Sequence, residues 1–245
     1  MLKNKVEELI DKYLDEVISI RRYLHQNPEL SLKEFNTSEF IVKELNKIGL
    51  DAQRGRENNG VVSNLNLGKG EKTLMLRADM DALPIQEETN FEFKSKNPGV
   101  MHACGHDVHT SILLGVSKVL NEIKDEINGN VKFVFQPAEE NNPTGGAPLM
   151  IKEGVLENPH VDNAVALHVW DYPIGTIALK PNAMMSESNR IFITIKGQAS
   201  HASKPHEGHD AIVCAAYLIT QLQTIVSRAI DPSDVVVLTL SKING

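Results

Sequence analysis

The sequence predicts an α/β protein, with a mostly parallel sheet flanked by helices and followed by a smaller α+β domain. Over about the first 180 residues, short apolar runs of strand character alternate with longer segments in which apolar residues recur at helical spacing. The pattern changes after Asn182, where a strictly alternating run and then a long helical segment appear. We therefore divide the chain into two domains, residues 1–183 and 184–245.

Helices are predicted wherever apolar residues recur three or four positions apart. The predicted helices cover residues 2–24, 37–48, 107–127, 145–152 and 210–229. Gly49 follows the second of these segments and is predicted as its C-cap, because glycine tolerates the left-handed backbone that ends many helices.

Strands are predicted at short apolar or alternating runs, which are residues 61–67, 73–76, 131–135, 164–167, 190–196 and 235–240. Helical patterns separate the later strands of the first domain, and this alternation favours parallel pairing with helices on both faces. The last two strands flank the long helix of the second domain. Because the chain stops in a turn directly after them, we expect that domain to be incomplete.

Composition and charge narrow the class of protein. The formal net charge of −7, with no local cluster of lysine or arginine, argues against a nucleic-acid partner. The longest apolar run, residues 211–219, is too short to cross a bilayer, so no membrane association is expected. The N-terminus does not have the pattern of a signal peptide, and two cysteines do not make a disulfide framework. We expect a cytoplasmic protein.

The chemically densest segment is residues 101–109, which holds one thiol, three imidazoles and one carboxylate just ahead of a predicted helix. Thiolate sulfur and neutral imidazole nitrogen are the ligands that zinc prefers. A structural zinc site would ordinarily use several paired cysteines, and the chain has no second cysteine pair. The segment therefore favours a catalytic metal site.

Three predicted strands end in ionisable residues. Asp79 and Asp81 follow one strand, Glu139 and Glu140 follow the next, and His168 follows the third. Each taken alone has an ordinary interpretation, as a turn aspartate, a solvated glutamate or a core histidine. Because sites in open α/β sheets form beyond the carboxyl ends of the strands, the three together predict a site at that edge.

The adjacent glutamates suit metal-assisted hydrolysis. One carboxylate can hold the ion, while the other takes a proton from water and passes it to the leaving nitrogen. A metal ion lowers the pKa of bound water towards about 7, and two ions roughly 3.5–4 Å apart also polarise a carbonyl.

The chain resembles the aminoacylase-type amidohydrolases of the zinc-dependent carboxypeptidase superfamily, the branch with hippurate hydrolases and auxin-conjugate hydrolases. The matching motifs are residues 77–84, 102–107, 136–140, 166–169 and 201–206. The resemblance implies a zinc-exopeptidase-like catalytic domain over residues 1–183 and a lid and dimerisation domain over residues 184–245.

The resemblance also implies a set of metal ligands, which are Cys104, His106, Glu140 and His168. Cys104 would bridge two divalent ions, zinc, manganese, cobalt or nickel, and no organic cofactor is implied. Glu139 would be the general base.

Further roles follow from the same resemblance. Asp81 would orient a ligand, and His109 would lie behind the ligands or at a helix N-terminus. Asp79 stands where other branches of the superfamily carry a liganding histidine, so its role stays open. His201 would reach the active site of a partner subunit and stabilise the oxyanion, which implies a homodimer, and His206 would hold substrate.

The activity implied is hydrolysis of the amide bond of N-acyl amino acids or similar small conjugates. Members of the resembled family are longer and return to the catalytic domain with a last ligating histidine, which none of the nine histidines here replaces. We therefore expect a C-terminally incomplete chain with little activity. The alternatives are a dipeptidase or carboxypeptidase on the same scaffold, and an inactive, metal-poor binding protein.

Overall fold

The computed structural model describes residues 2–65, 70–141, 144–185 and 187–245. Its contacts divide the chain into two compact units, residues 1–187 and residues 188–245. The sequence-based boundary lies four residues earlier, after residue 183. The predicted strand residues 66 and 67 lie outside the described residues.

The described part of the first unit contains four α-helices, three of which begin and end close to the predicted limits. They are α1 (Leu2–Gln26), α2 (Phe35–Lys47), α3 (His106–Glu122) and α4 (Gly146–Lys152). Gly49, just past the end of α2, has φ +78°, the left-handed backbone expected of a C-terminal glycine. Helix α3 ends earlier than predicted, and a short 3₁₀ turn, Lys124–Glu126, continues the chain.

One five-stranded sheet forms the centre of the first unit. Its strands are β1 (Ala52–Arg54), β2 (Val61–Leu65), β3 (Thr73–Asp79), β4 (Asn130–Gln136) and β5 (Asn163–Ala166). They lie in the order β1-β2-β4-β3-β5. The α/β class, with an open sheet flanked by helices, is confirmed.

The sheet is mixed rather than mostly parallel. Strand β3 pairs in parallel with β4 and β5, because α3 and α4 carry the chain back between successive strands. Strand β2 runs antiparallel to both β4 and β1. Strand β3 therefore runs in the opposite direction to β2. Strand β1 was not predicted, since three residues are too few to display an alternating pattern.

The core lies between the sheet and the helices α1, α2 and α3. Its fully buried side chains include Ile41 and Leu45 of α2, Leu114 of α3, and Phe133 and Phe135 of β4. Burying side chains of this size contributes about 1.5–3 kcal/mol each. This packing fixes α3 against the sheet, so that its N-terminus lies at the edge where β3, β4 and β5 end.

The second unit is helical in its regular structure. Helix α5 (Ala211–Thr224) is capped at its N-terminus by Asp210, whose carboxylate accepts hydrogen bonds from the backbone N–H groups of Ile212 and Val213. A π-helical turn, Ile225–Ala229, extends it. The strands predicted at residues 190–196 and 235–240 form no ladder within the described chain. An alternating pattern makes a strand only when a neighbour supplies hydrogen bonds, so the α+β character of this domain stays a prediction.

The helical segment from Ala211 to Ala229 spans 19 residues with a mean hydropathy of 1.2 and is long and apolar enough to cross a membrane. The sequence-based expectation considered only the uninterrupted apolar run 211–219, which the helix extends through residues such as Gln221 and Gln223. One such helix is weak evidence for a membrane span, because core helices of soluble proteins meet the same criteria.

Candidate metal centre

The residues predicted at the sheet edge from three strand ends lie close together. Strand β3 ends at Asp79, Glu139 and Glu140 follow β4, and His168 follows β5. The loop with Cys104 enters α3, whose first residue is His106. Parallel pairing of β3 with β4 and β5 is what brings these ends to one edge.

Three overlapping groups of side chains are spaced closely enough to hold a metal ion, and two of them together contain the predicted ligands. In the first, Cys104 Sγ lies 3.4 Å from His168 Nε2, and His106 completes the group. In the second, His106 Nε2 lies 3.9 Å from a carboxylate oxygen of Glu139 and 3.9 Å from one of Glu140. His106 belongs to both groups and stands at the centre of the cluster.

The environment of His106 fits a cation. Its Nε2 atom is buried and has no hydrogen-bond partner among the described residues, while Nδ1 lies 3.2 Å from Asp81 Oδ1. Burial alone would lower the pKa of His106, but the bond with Asp81, the proximity of Cys104 and the charge of Asp79 outweigh it and raise the pKa to about 10. Thiolate, imidazole and carboxylate donors together suit a divalent transition metal.

Asp81 joins the two sides of the cluster. One carboxylate oxygen faces His106, while the other accepts hydrogen bonds from Ser31 Oγ at 2.6 Å and from the backbone N–H of Glu140 at 3.0 Å. Burial raises the pKa of Asp81, but these bonds outweigh it, so that the pKa lies below its ordinary value. Asp81 thereby fixes both His106 and the backbone of Glu140.

Asp79 and His109 form a buried pair behind His106. Asp79 Oδ1 lies 2.6 Å from His109 Nδ1, and Asp79 Oδ2 lies 2.6 Å from the guanidinium of Arg77. Burial raises the pKa of Asp79, but the His109 bond and the charges of His106 and Arg77 outweigh it and hold the pKa well below its usual range. Asp79 Oδ1 is also 3.6 Å from His106 Nε2, which makes Asp79, His106 and His109 a third close group.

Gly105 allows the ligand loop to approach the loop after β5. Its φ is +81°, and a Cβ atom at this position would lie 2.4 Å from Val169 Cγ2. A side chain here would both strain the backbone and push Val169 away. The glycine therefore permits Cys104 and His168 to meet.

Glu139 has the surroundings of a proton acceptor. Its side chain is 42% exposed, so that a substrate or water molecule can reach it. Partial burial, and then the charge of neighbouring Glu140, raise the pKa of Glu139 above its ordinary value. A raised pKa brings a carboxylate closer to the neutral range, where a general base works best.

Three site neighbours carry no role in the sequence-based prediction. Ser31 and Arg77 bond the carboxylates of Asp81 and Asp79. Arg77 lies inside a recognised motif, which is the signal that points to it, whereas Ser31 lies in a loop with no distinguishing pattern. His102 has both ring nitrogens buried without a partner among the described residues, and burial lowers its pKa to about 4.

His201 and His206 belong to the second unit. His201 Nδ1 lies 2.8 Å from Ser203 Oγ, and His206 follows in the 3₁₀ turn Pro205–Glu207. Both histidines are exposed. Their roles stay predictions.

The fold and the cluster define an α/β protein with the side chains of a metallohydrolase at the carboxyl edge of its sheet. Residues 75–242 match the peptidase family M20/M25/M40, and the chain belongs to this family. The resemblance drawn from the motifs is thereby confirmed.

Relatives with known names are similar over nearly the whole chain. The N-acyl-L-amino acid amidohydrolase of Geobacillus stearothermophilus is 43% identical over 99% of this chain and 65% of its own length. The N-acetyl-L-cysteine deacetylase of Bacillus subtilis is 43% identical over 94% of this chain and 55% of its own length. The chain thus spans less than two thirds of the length of these curated relatives.

Solved structures agree with the family. A protein from methicillin-resistant Staphylococcus aureus superposes with a TM-score of 0.77 at 37% identity, over 99% of this chain and 64% of its own. The YXEP protein of Bacillus subtilis, a dinuclear metal binding peptidase of the M20 family, gives a TM-score of 0.65 at 38% identity. That match covers 69% of this chain and 47% of the YXEP chain.

Proposed function

We propose that this chain carries the metal-binding part of an amidohydrolase that cleaves the amide bond of N-acyl amino acids. The observation that carries the proposal is the buried Nε2 atom of His106, which has no hydrogen-bond partner among the described residues and lies among thiol, imidazole and carboxylate groups. Relatives named as an N-acyl-L-amino acid amidohydrolase and as N-acetyl deacetylases support the same reaction. The expectation of little activity finds no support among these relatives, so it is not part of the proposal.

The proposed ligands are Cys104, His106, Glu140 and His168, for two divalent ions of zinc, manganese, cobalt or nickel. When bound, such ions polarise the scissile carbonyl and make water a stronger acid. Asp81 orients His106 through Nδ1, which leaves Nε2 for the ion. Cys104 Sγ lies 3.4 Å from His168 Nε2 and forms one close group with His168 and His106, so it would hold an ion together with these histidines.

Glu139 is proposed as the residue that moves the proton. Its carboxylate takes a proton from the attacking water and later delivers it to the leaving nitrogen, so that a neutral amine departs. The raised pKa of Glu139 favours both halves of this transfer near neutral pH. His201, reaching the site from a partner subunit, would stabilise the oxyanion, and His206 would hold substrate.

The remaining proposals concern the setting of the protein. We propose a homodimer formed through the smaller domain, on the resemblance alone. A cytoplasmic location is supported by two free cysteines, Cys104 and Cys214. N-acyl amino acids are the proposed small-molecule partners.

A second candidate reaction is the cleavage of peptides from the carboxyl end. Thermostable carboxypeptidase 2 of Saccharolobus solfataricus is 40% identical over 100% of this chain and 61% of its own length. The same carboxylates and imidazoles serve either substrate, because both reactions hydrolyse an amide next to a carboxylate-bearing residue.

One assay separates these functions. The purified protein is loaded with each of the four metals and given N-acetyl and N-benzoyl amino acids beside dipeptides of the same amino acids. Faster hydrolysis of the N-acyl substrates supports the amidohydrolase, whereas faster hydrolysis of the dipeptides supports the peptidase. No hydrolysis with any metal contradicts both proposals.

A further inference from the structure

The two candidate glutamates follow a residue with unusual backbone geometry. Ala138 is fully buried and has φ +51°, in the left-handed region that residues with a side chain rarely adopt. Glu139 and Glu140 come directly after it, so the direction in which both side chains leave the backbone depends on this turn. Such a conformation persists only when its surroundings hold it.

Ala138 is held from two sides. Its backbone N–H donates to Glu34 Oε1 at 2.7 Å, and its carbonyl accepts from the backbone N–H of Gly146 at 3.1 Å. A Cβ atom on Gly146 would lie 1.9 Å from the carbonyl oxygen of Pro137. The turn is therefore held by the side chain of Glu34 on one side and by Gly146, the first residue of α4, on the other.

Both carboxylate oxygens of Glu34 accept hydrogen bonds in the interior of the protein. The residue is fully buried just before α2, and its second oxygen, Oε2, accepts from Asn59 Nδ2 at 3.0 Å. Burial raises its pKa, and the hydrogen bonds from Asn59 and Ala138 oppose that rise. A buried carboxylate is costly unless hydrogen bonds compensate it, so its presence calls for a specific use.

We propose that Glu34 is a positioning residue, which holds the left-handed turn at Ala138 and thereby directs Glu139 and Glu140 towards His106. Glu34 acts through the backbone of Ala138, whose N–H group donates to its carboxylate. Two residues further along the chain, Asp81 accepts a hydrogen bond from the backbone N–H of Glu140 in the same way. Two buried carboxylates thus hold the backbone of this loop. The inference rests on the proposed metal site.

The test is a cobalt(II) titration of the whole chain and its variants, followed by calorimetry and by the visible and near-ultraviolet spectrum. Glu34→Ala removes the acceptor for Ala138 N–H and is expected to weaken cobalt binding about tenfold, as losses of ligand-orienting partners do. Glu34→Gln keeps one acceptor oxygen and is expected to restore affinity to within about threefold of the wild type. The thiolate absorption of Cys104 at saturating cobalt should be unchanged in both variants.

A matched control separates positioning from loss of stability. Ser38→Ala removes buried hydrogen bonds to the carbonyls of Glu34 and Asn59 but does not touch Ala138, so it should leave cobalt affinity within about twofold of the wild type. Glu34→Ala added to Glu140→Ala should cause no further loss, because the side chain being positioned is already absent. If Glu34→Ala does not fold, Glu34→Asp, which withdraws the carboxylate by one methylene, replaces it with the same expectations.

Each outcome decides the matter. Wild-type affinity in the Glu34 variants, an equal loss in Ser38→Ala, or losses that add fully in the double variant would overturn the positioning role while leaving the metal site intact. A wild-type chain that takes up no cobalt would overturn the proposed function and, with it, the role of Glu34.

Discussion

His109 connects the buried carboxylate of Asp79 to the backbone of the loop that carries His168. The backbone N–H of Val169 donates to His109 Nε2 at 2.9 Å, so this nitrogen must be the unprotonated one. The proton therefore sits on Nδ1 and is donated to Asp79 Oδ1 at 2.6 Å. Through this chain of bonds, the end of β3 fixes the residue next to a candidate ligand.

Two substitutions distinguish the two nitrogen atoms of His109. Asn in place of His109 keeps a donor near the Nδ1 position but leaves Val169 N–H without an acceptor. We expect His109→Asn to weaken divalent-metal binding about tenfold, because the His168 loop loses its anchor. His109→Gln reaches the Nε2 position with its carbonyl oxygen and should weaken binding less. Calorimetric zinc titrations of both variants test this order, and the opposite order would contradict it.

Glu139→Gln tests the proposed proton transfer. The amide keeps the size of the side chain but cannot accept a proton, so kcat for N-acyl amino acid hydrolysis should fall by at least about 100-fold. Metal content should stay at the wild-type level, because Glu140 rather than Glu139 is the proposed ligand. Glu88→Gln, at an exposed position, is the matched control and should keep full activity. Wild-type rates in Glu139→Gln would remove Glu139 from the mechanism.

Lys132 of β4 stabilises the segment between α4 and β5. The side chain is buried, and its ammonium donates to the backbone carbonyls of Val155, Glu157 and Pro159 at 2.8, 2.8 and 2.9 Å. Lys132→Met leaves these carbonyls without a donor and should lower the free energy of unfolding by about 3 kcal/mol. Urea unfolding followed by circular dichroism measures the change.

The control for this prediction is Lys72→Met, which makes the same chemical change at an exposed position. Lys72 pairs with Asp162 at the surface, where solvent screens the attraction, so the free energy of unfolding should hardly change. If both variants lose the same free energy of unfolding, the buried hydrogen bonds of Lys132 contribute no more to stability than the surface pair of Lys72.

His25 makes stability depend on pH through a buried charge network. Its Nδ1 lies 2.8 Å from Asp107 and its Nε2 3.3 Å from Glu87, while Arg21 Nε lies 2.8 Å from the same Asp107 oxygen. The bond with Asp107 raises the pKa of His25 and outweighs burial and the charge of Arg21, which both lower it. The ring centroid of His102 lies 6.5 Å from that of His25. Folding therefore favours the protonated form of His25.

The protonated form of His25 contributes its full stabilisation when the pH lies below the pKa of histidine in the unfolded chain, about 6.5. This contribution is lost as the pH rises through the higher pKa of His25 in the folded protein. The wild type should therefore exceed His25→Gln in free energy of unfolding by more at about pH 6 than at about pH 9. His160→Gln, at an exposed histidine, should show no such trend. A difference that grows with pH would contradict the sign of the pKa shift.

Much of the first unit follows from local patterns, whereas the direction of β2 does not. Apolar spacing predicted four helices and four strands there, because each pattern is set by neighbours in sequence. The antiparallel pairing of β2 with β4 depends on residues that lie about 70 positions apart, such as Val61 and Phe135. No local pattern records that choice.

The candidate site divides in the same way. The sequence reveals the candidate ligands Cys104, His106 and Glu140, because metal-binding side chains grouped this closely seldom have a purely structural role. Glu34, by contrast, is an acidic residue ahead of a helix, which is common on protein surfaces. Its burial against Ala138 comes from a contact across 104 residues and can be read only from the fold.

The central claim is that Cys104 and His106 hold a metal ion, and cobalt(II) absorption tests it most directly. The account predicts saturable cobalt uptake with a thiolate-to-cobalt charge-transfer band. This band should disappear in Cys104→Ser and remain in Cys214→Ser, which removes the other cysteine of the chain. Absence of cobalt uptake by the wild type, or a band that survives in Cys104→Ser, would contradict the account.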